Sequence, residues 1–146
     1  MEKIRVIIVS DKEKVGLRPK LKSEIEQNNN LEVVLLSRLK ISRIRGEIVP
    51  LKPTLLFITA SLYTAEEINE LQGFVKKLKK HLAQASIVVH TPKLRDFKIK
   101  EIFEVGADVW IDEKLDYSFL GGVLEAIIKN EVIFHPSQVI RKQEAS

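Results

Sequence analysis

The chain has 146 residues, of which 45% are hydrophobic and 30% are charged, and its formal net charge is +4. This length and balance predict one globular domain around a single core. The sequence contains no cysteine, which excludes disulfides, thiolate nucleophiles and cysteine-ligated zinc or iron–sulfur sites. No apolar stretch approaches the roughly 18 residues needed to cross a bilayer, so we expect a cytoplasmic protein with no membrane partner.

Apolar runs and amphipathic stretches alternate along the chain, which is the order that a parallel sheet with crossover helices requires. Taken in chain order, the predicted elements are strand 4–9, helix 17–27, strand 31–36, a short basic helix within 37–51, strand 53–58, helix 64–82, strand 87–90, helix 97–105, strand 109–111 and helix 116–129.

Several helix boundaries have specific signals. Thr64 and Glu67 form a capping box at the start of the longest helix, and Asp116 is suited to cap the last one. Gly121 and Gly122 lie inside that last helix, where glycine costs about 1 kcal/mol relative to alanine. We therefore expect a neighbouring element to pack closely there.

The order and spacing of several segments resemble the receiver domain of two-component response regulators, the CheY-like family, and within it the NarL/LuxR-type branch. The resemblance covers nearly the whole chain. The segments that carry it are 4–11, 16–18, 31–34, Thr91, 106–111 and 124–139. It implies a flavodoxin-like three-layer α/β/α sandwich whose five-stranded parallel sheet has the order 2-1-3-4-5. The receiver-like domain is then 1–131, and 132–146 is a C-terminal tail or linker.

Active receivers, as the resemblance implies, hold Mg²⁺ with two acidic residues after the first strand and a phospho-accepting aspartate at the end of the third. A lysine follows the fifth strand. Here the acidic pair reads Ser10 and Asp11, the acceptor position reads Thr59, and the lysine position reads Glu113, with Lys114 adjacent. Mg²⁺ prefers carboxylate oxygens, and an acyl phosphate needs a carboxylate nucleophile. The sequence therefore predicts a vestigial phosphorylation pocket.

The residues around this pocket allow more than one interpretation. Asp11 is either a helix cap or a surviving metal ligand. Thr91 and Trp110 fall where active receivers couple a hydroxyl to a rotating aromatic, although Trp110 equally suits core packing. His81, His90 and His135 lie on different elements without metal-ligand spacing, so no metal site, cofactor or catalytic residue is predicted.

These features favour an atypical receiver, or pseudo-receiver, that acts without aspartate phosphorylation as a non-enzymatic protein-interaction or dimerisation module. It would serve signal transduction or transcription regulation. The resemblance places its contact surface on helices 97–105 and 116–129, and DNA would be bound only through an additional domain after Ser146. Two alternatives stay open: a phosphorylation- or Mg²⁺-responsive receiver with a non-standard site, and a basic nucleic-acid-associated protein that uses the clusters at 38–45 and 76–80.

Overall fold

A six-stranded sheet with the strand order β2-β1-β3-β4-β5-β6 forms the centre of the molecule. The computed structural model describes residues 2–144. The strands are β1 (Ile4–Ser10), β2 (Leu31–Arg38), β3 (Leu55–Thr59), β4 (Ser86–Thr91), β5 (Val109–Asp112) and β6 (Val139–Arg141). The first five are parallel, and β6 pairs antiparallel with β5. The predicted order 2-1-3-4-5 is therefore confirmed for the parallel strands.

Four helices cover both faces of the sheet, and the first three of them connect parallel strands. They are α1 (Arg18–Glu26), α2 (Ala65–His81), α3 (Asp96–Glu104) and α4 (Leu120–Lys129). Short segments of tighter or wider helix lie at Lys12–Leu17, Ile44–Ile48, Val49–Leu51, Tyr117–Phe119 and Lys142–Glu144. Within residues 2–144, no helix is long and apolar enough to span a membrane.

The predicted caps are present. The Thr64 hydroxyl accepts a hydrogen bond from the Glu67 amide at 3.1 Å, and the Glu67 carboxylate accepts one from the Thr64 amide at 3.0 Å. Asp116 accepts a hydrogen bond from the Ser118 amide at 2.9 Å. These bonds satisfy amides that have no partner inside their own helices. They fix where α2 and the turn before α4 begin.

The sheet divides the apolar core into two halves. On one face α1 and α4 pack against Val6, Ile8, Phe57, Val88 and Ile111. On the other face α2, α3 and the 44–51 segment pack against Ile7, Val9, Leu56, Ile58, Val89 and Trp110. Because both faces are covered, all five residues of β3 are buried. This double burial explains why the strands read as continuous apolar runs instead of alternating ones.

The C-terminal segment contains a strand that the sequence did not predict. Residues 139–141 add β6 to the edge of the sheet, with Val139 almost fully buried beside Ile111. The Arg141 guanidinium donates to the carbonyls of Ala126 and Glu131 at 3.1 and 2.7 Å, beside the end of α4. Three residues are too few for a strand periodicity to be visible in the sequence. Of the predicted tail, Ala145 and Ser146 lie outside the described residues.

Two apolar side chains are less buried than their predicted positions imply. Ile44 and Ile48 are fully buried in the short helical segment, but Ile41 precedes it and is 44% exposed. Phe119 lies in the turn before α4 and is 48% exposed, so it is not part of that helix's inner stripe.

Gly121 allows α4 to approach α1 closely, as the glycine pair suggests. A Cβ atom at Gly121 would lie 2.9 Å from Cβ of Asn28 and 3.2 Å from the Ile25 carbonyl oxygen. The Asn28 side-chain amide donates to the Gly121 carbonyl at 3.2 Å, and to Glu125 at the same distance. Gly122 has open space where its Cβ would be. Only the first glycine of the pair is needed for packing.

Candidate functional site

Three polar residues lie side by side on neighbouring strands at the carboxyl edge of the sheet: Ser10 and Thr59 end β1 and β3, and His90 is next to last in β4. Ser10 is in register with Thr59, and Thr59 is in register with His90. Each follows by two positions a residue of the core half that faces α1 and α4, so all three side chains lie on that face. Their exposed fractions are 1% for Ser10, 0% for Thr59 and 1% for His90. The predicted acceptor position is therefore closed to solvent.

Thr59 is hydrogen-bonded to His90. The Thr59 hydroxyl oxygen lies 3.0 Å from Nδ1 of His90. His90 also packs at ring-centroid distances of 5.0 Å from Phe57 and 6.1 Å from Tyr117. Burial, with a smaller contribution from the positive charge of Lys14, lowers the pKa of His90 to about 4. The imidazole is therefore neutral at physiological pH.

Two buried polar atoms in this cluster have no hydrogen-bond partner among residues 2–144. They are the Ser10 hydroxyl oxygen and Nε2 of His90. Leaving such atoms unpaired costs about 1–3 kcal/mol each, and buried groups of this kind are rare in native proteins. Ser10, Thr59 and His90 thus form a group of polar side chains buried inside the apolar core.

Asp11 serves as a cap. One of its carboxylate oxygens accepts from the Lys14 amide at 3.0 Å and the other from the Ser61 amide at 2.7 Å. The first bond begins the helical turn at Lys12–Leu17, and the second holds the loop after β3. Of the two interpretations left open by the sequence, the structure supports the helix cap, because both oxygens already have backbone partners.

An ion pair occupies the side of the site where the resemblance places a lysine. The Lys14 ammonium lies 2.7 Å from the Glu113 carboxylate, and the side-chain exposures are 15% and 31%. Burial disfavours the charged form of Lys14, but the hydrogen bond and charge of Glu113 outweigh it and raise the pKa of Lys14. Lys114 is exposed, and only its backbone amide bonds nearby, to Asp112 at 2.9 Å. The cation of this site therefore comes from the β1–α1 connection instead of β5.

Thr91 and Trp110 contact each other on the opposite face of the sheet. Nε1 of Trp110 donates to the Thr91 hydroxyl at 2.9 Å, and that hydroxyl donates to the Pro92 carbonyl at 2.7 Å. Trp110 is fully buried in the core half that faces α2 and α3. The Lys93 ammonium lies 5.1 Å from its ring centroid. Trp110 is therefore a core residue with a satisfied indole.

These residues do not fit a magnesium ion. A Mg²⁺ site needs several oxygen ligands with negative charge. Here Ser10 and Thr59 are neutral and Glu113 is paired with Lys14, so Asp11, which also caps a helical turn, is the one carboxylate left. No group of three or more His, Asp or Glu side chains in the described residues could hold a metal ion.

Comparisons with known proteins rest on structure alone. A scan against protein-family models and a search of curated proteins find no match. Among solved structures, a LuxR-family response regulator from an Aurantimonas species superposes with a TM-score of 0.74 at 18% identity, covering 99% of this chain and 96% of that one. The signal receiver domain of NarL from Mycobacterium tuberculosis superposes with a TM-score of 0.72 at 11% identity, covering 90% and 100%.

This chain has the receiver fold. The RcsB response regulator of Salmonella typhimurium adds a third comparison, with a TM-score of 0.72 and 18% identity, and covers 94% of this chain but only 65% of RcsB. The TM-scores establish the receiver fold. Because the identities are so low, the activity of this chain has to be inferred from its own residues.

Sequence reasoning missed two members of the site. The sequence alone assigns no role to His90 or to Lys14. A signal for His90 was present, because it lies at the end of its predicted strand while Ser10 and Thr59 directly follow theirs, and parallel strands bring such positions together. Lys14 had no comparable signal, since its pairing with Glu113 joins residues 99 positions apart.

Proposed function

We propose that this chain is an atypical receiver domain that acts as a protein-interaction module and accepts no phosphoryl group at its carboxyl-edge site. The observation that carries the proposal is the buried Thr59–His90 hydrogen bond at the acceptor position. A hydroxyl stands where an acyl phosphate would need a carboxylate, and solvent does not reach it.

The Thr59 hydroxyl lies beside the His90 imidazole as a nucleophile lies beside a general base, but the low pKa of His90 opposes that role. A general base works best when its pKa lies near the working pH, and burial holds the pKa of His90 at about 4. An incoming phosphoryl group would also have to enter a fully buried position without Mg²⁺. The alternative of a Mg²⁺-responsive switch therefore has no supporting set of ligands here.

The Lys14–Glu113 ion pair gives the site an internal substitute for the charges of an active receiver. The carboxylate stands where a lysine is expected, and the ammonium comes from the opposite side of the site. Each charge neutralises the other, so the site needs neither phosphate nor metal to be electrostatically balanced. A domain balanced in this way suits a constitutive scaffold better than a phosphorylation switch.

Exposed apolar side chains at the start of α3 and in the segments on either side of α4 support the interaction role. Phe97 at the start of α3 is 52% exposed, and Phe119 just before α4 is 48% exposed. Val132 and Phe134, in the segment after α4, are 75% and 84% exposed. Aromatic side chains are enriched in the cores of protein interfaces. We place the contact surface for a protein partner or a second copy of the chain here.

The partial coverage of RcsB adds a proposal about context. Because the chain aligns with only 65% of that response regulator, a DNA-binding domain following Ser146 would fit the proposed role in transcription regulation. DNA contact would then belong to that domain.

The phosphorylation claim is tested by incubating the chain with acetyl phosphate and Mg²⁺ and measuring its intact mass. We expect no phosphoryl adduct, while an active receiver treated in parallel gains one. The matched variant combines Ser10→Asp, Thr59→Asp and Glu113→Lys, which together restore the ligand and lysine pattern. A stable adduct on the unmodified chain would refute the proposal.

The interaction claim is tested by sedimentation over a range of concentrations. We expect self-association that Phe97→Ser or Phe119→Ser weakens. Tyr63→Ser is the control, because Tyr63 is 75% exposed on the loop before α2 and is not one of the side chains of the proposed surface. A chain that stays monomeric at every concentration would reject the homodimer form of the proposal.

A further inference from the structure

A pocket of about 440 Å³ opens at the carboxyl edge of the sheet, on the β2 side of the Thr59 site. Ligand sites in proteins typically have volumes of about 300–1,000 Å³, so this pocket can hold a small molecule. It is formed by the segments that follow β1, β2 and β3, together with the first turns of α2. In open α/β sheets ligands bind outside the carboxyl ends of the strands where the strand order reverses, and here that point lies between β1 and β3.

The pocket has two walls of opposite charge. One wall carries Lys12, Arg38 and Lys40 from the segments at the ends of β1 and β2, and the other carries Glu67 and Glu70 of α2. Ser10 and Asp11 of the carboxyl-edge site also line the pocket, and both oxygens of the Asp11 carboxylate accept hydrogen bonds from backbone amides. No salt bridge joins the two walls, and the three basic side chains form no ion pair within residues 2–144. The opposite charges therefore remain separated across the pocket.

Apolar side chains lie between the charged walls. They are Val15, Leu39, Ala60 and Leu62. Leu62 has a backbone φ of +54°, a left-handed conformation that is unfavourable for leucine. Strained residues of this kind are concentrated at ligand clamps and active sites. The strain adds an independent reason to regard this edge as a binding site.

We propose that this pocket binds a small zwitterion with an apolar body, of the α-amino-acid class. A simple anion would face the two glutamates, and a simple cation would face three basic side chains. A molecule with a carboxylate and an ammonium group matches both walls, with Arg38 offering the forked geometry that suits a carboxylate. Its apolar part would lie against Leu39 and Leu62. Such a ligand would supply a signal that does not pass through Thr59.

The experiment is an amide NMR titration of the full chain with pools of the twenty amino acids, each at about 10 mM, which exceeds a millimolar dissociation constant. We expect at least one amino acid to give saturable shifts at Leu39, Ala60 and Leu62. That amino acid is then compared with its amide, which lacks the carboxylate, and its N-acetyl form, which lacks the ammonium. Both should bind at least about tenfold more weakly, because each leaves one charged wall unpaired.

Matched variants locate the site. Arg38→Gln and Glu70→Gln should each weaken binding by about tenfold, since each removes one charge-assisted contact. Arg95→Gln and Glu66→Gln are the controls, because both residues are exposed and lie outside the pocket. Glu70 is chosen over Glu67 because Glu67 also caps α2.

Three results would overturn the inference. The first is the absence of saturable shifts with every pool. The second is equal binding of the N-acetyl form, which would make the ligand an ordinary organic anion. The third is equal affinity in the pocket variants and their controls. None of these results depends on whether the Thr59 site can be phosphorylated.

Discussion

Acidification from about pH 7.5 to about pH 5 should lower the free energy of unfolding by about 2 kcal/mol through His90 alone. In the folded chain burial holds the pKa of His90 at about 4, against an ordinary value of 6.5. Between pH 6.5 and about pH 4 the unfolded chain therefore binds a proton at His90, and the folded chain does not. Stability is complete above pH 6.5 and is lost as the pH falls toward 4.

The size of this stability loss follows from the lowered pKa of His90. At about 1.36 kcal/mol per pKa unit, the difference between 6.5 and about 4 limits the total loss to about 3 kcal/mol, of which about two-thirds is reached at about pH 5. Urea denaturation at a series of pH values gives the free energy of unfolding directly.

His90→Asn isolates the effect. Asparagine places a polar atom near the position of Nδ1, so a bond to Thr59 can form, but it has no proton to titrate in this range. The variant starts from a lower stability because it leaves a cavity, and its pH dependence should be flatter by about 2 kcal/mol over the same interval. His81→Asn, at an exposed position on α2, should keep the full pH dependence. An unchanged pH dependence in His90→Asn would refute the reasoning.

Two further predictions concern packing and charge. Gly121→Ala should destabilise the chain by about 1–3 kcal/mol, because its Cβ would lie 2.9 Å from Cβ of Asn28. Gly122→Ala has open space and should stabilise the chain by up to about 1 kcal/mol. Equal effects of the two variants in thermal or urea unfolding would contradict the close approach of α4 to α1. A double-mutant cycle with Lys14→Met and Glu113→Gln should give a coupling of about 1 kcal/mol for this partly exposed pair, and a coupling of zero would remove the ion pair from the account.

The fold was predictable because local and global signals agree. The β-branched run of β1 and the capping box at Thr64 each mark an element where the structure places it. β6 was not predictable in the same way. Its three residues form a strand only because the edge of β5 is available to pair with them.

The site was predictable in position but not in its contacts. The resemblance to receiver domains indicated Ser10, Asp11 and Thr59, and the structure brings the ends of β1 and β3 together at one edge of the sheet. The partners of these residues come from elsewhere in the sequence: His90 from β4 and Ser61 from the next loop. Long-range pairings of this kind depend on the packing of the folded chain.

The central claim is that the carboxyl-edge site holds neither Mg²⁺ nor a phosphoryl group. The most direct test is an amide NMR titration with Mg²⁺ and then beryllium fluoride, which mimics a phosphoryl group on a carboxylate. We predict no saturable shifts at Asp11, Thr59 or Glu113, because Asp11 is occupied by two amides and Glu113 by Lys14. Localised, saturable shifts at these residues would contradict the account: shifts with Mg²⁺ alone would show a cation site, and shifts that require both reagents would show a working phosphorylation site.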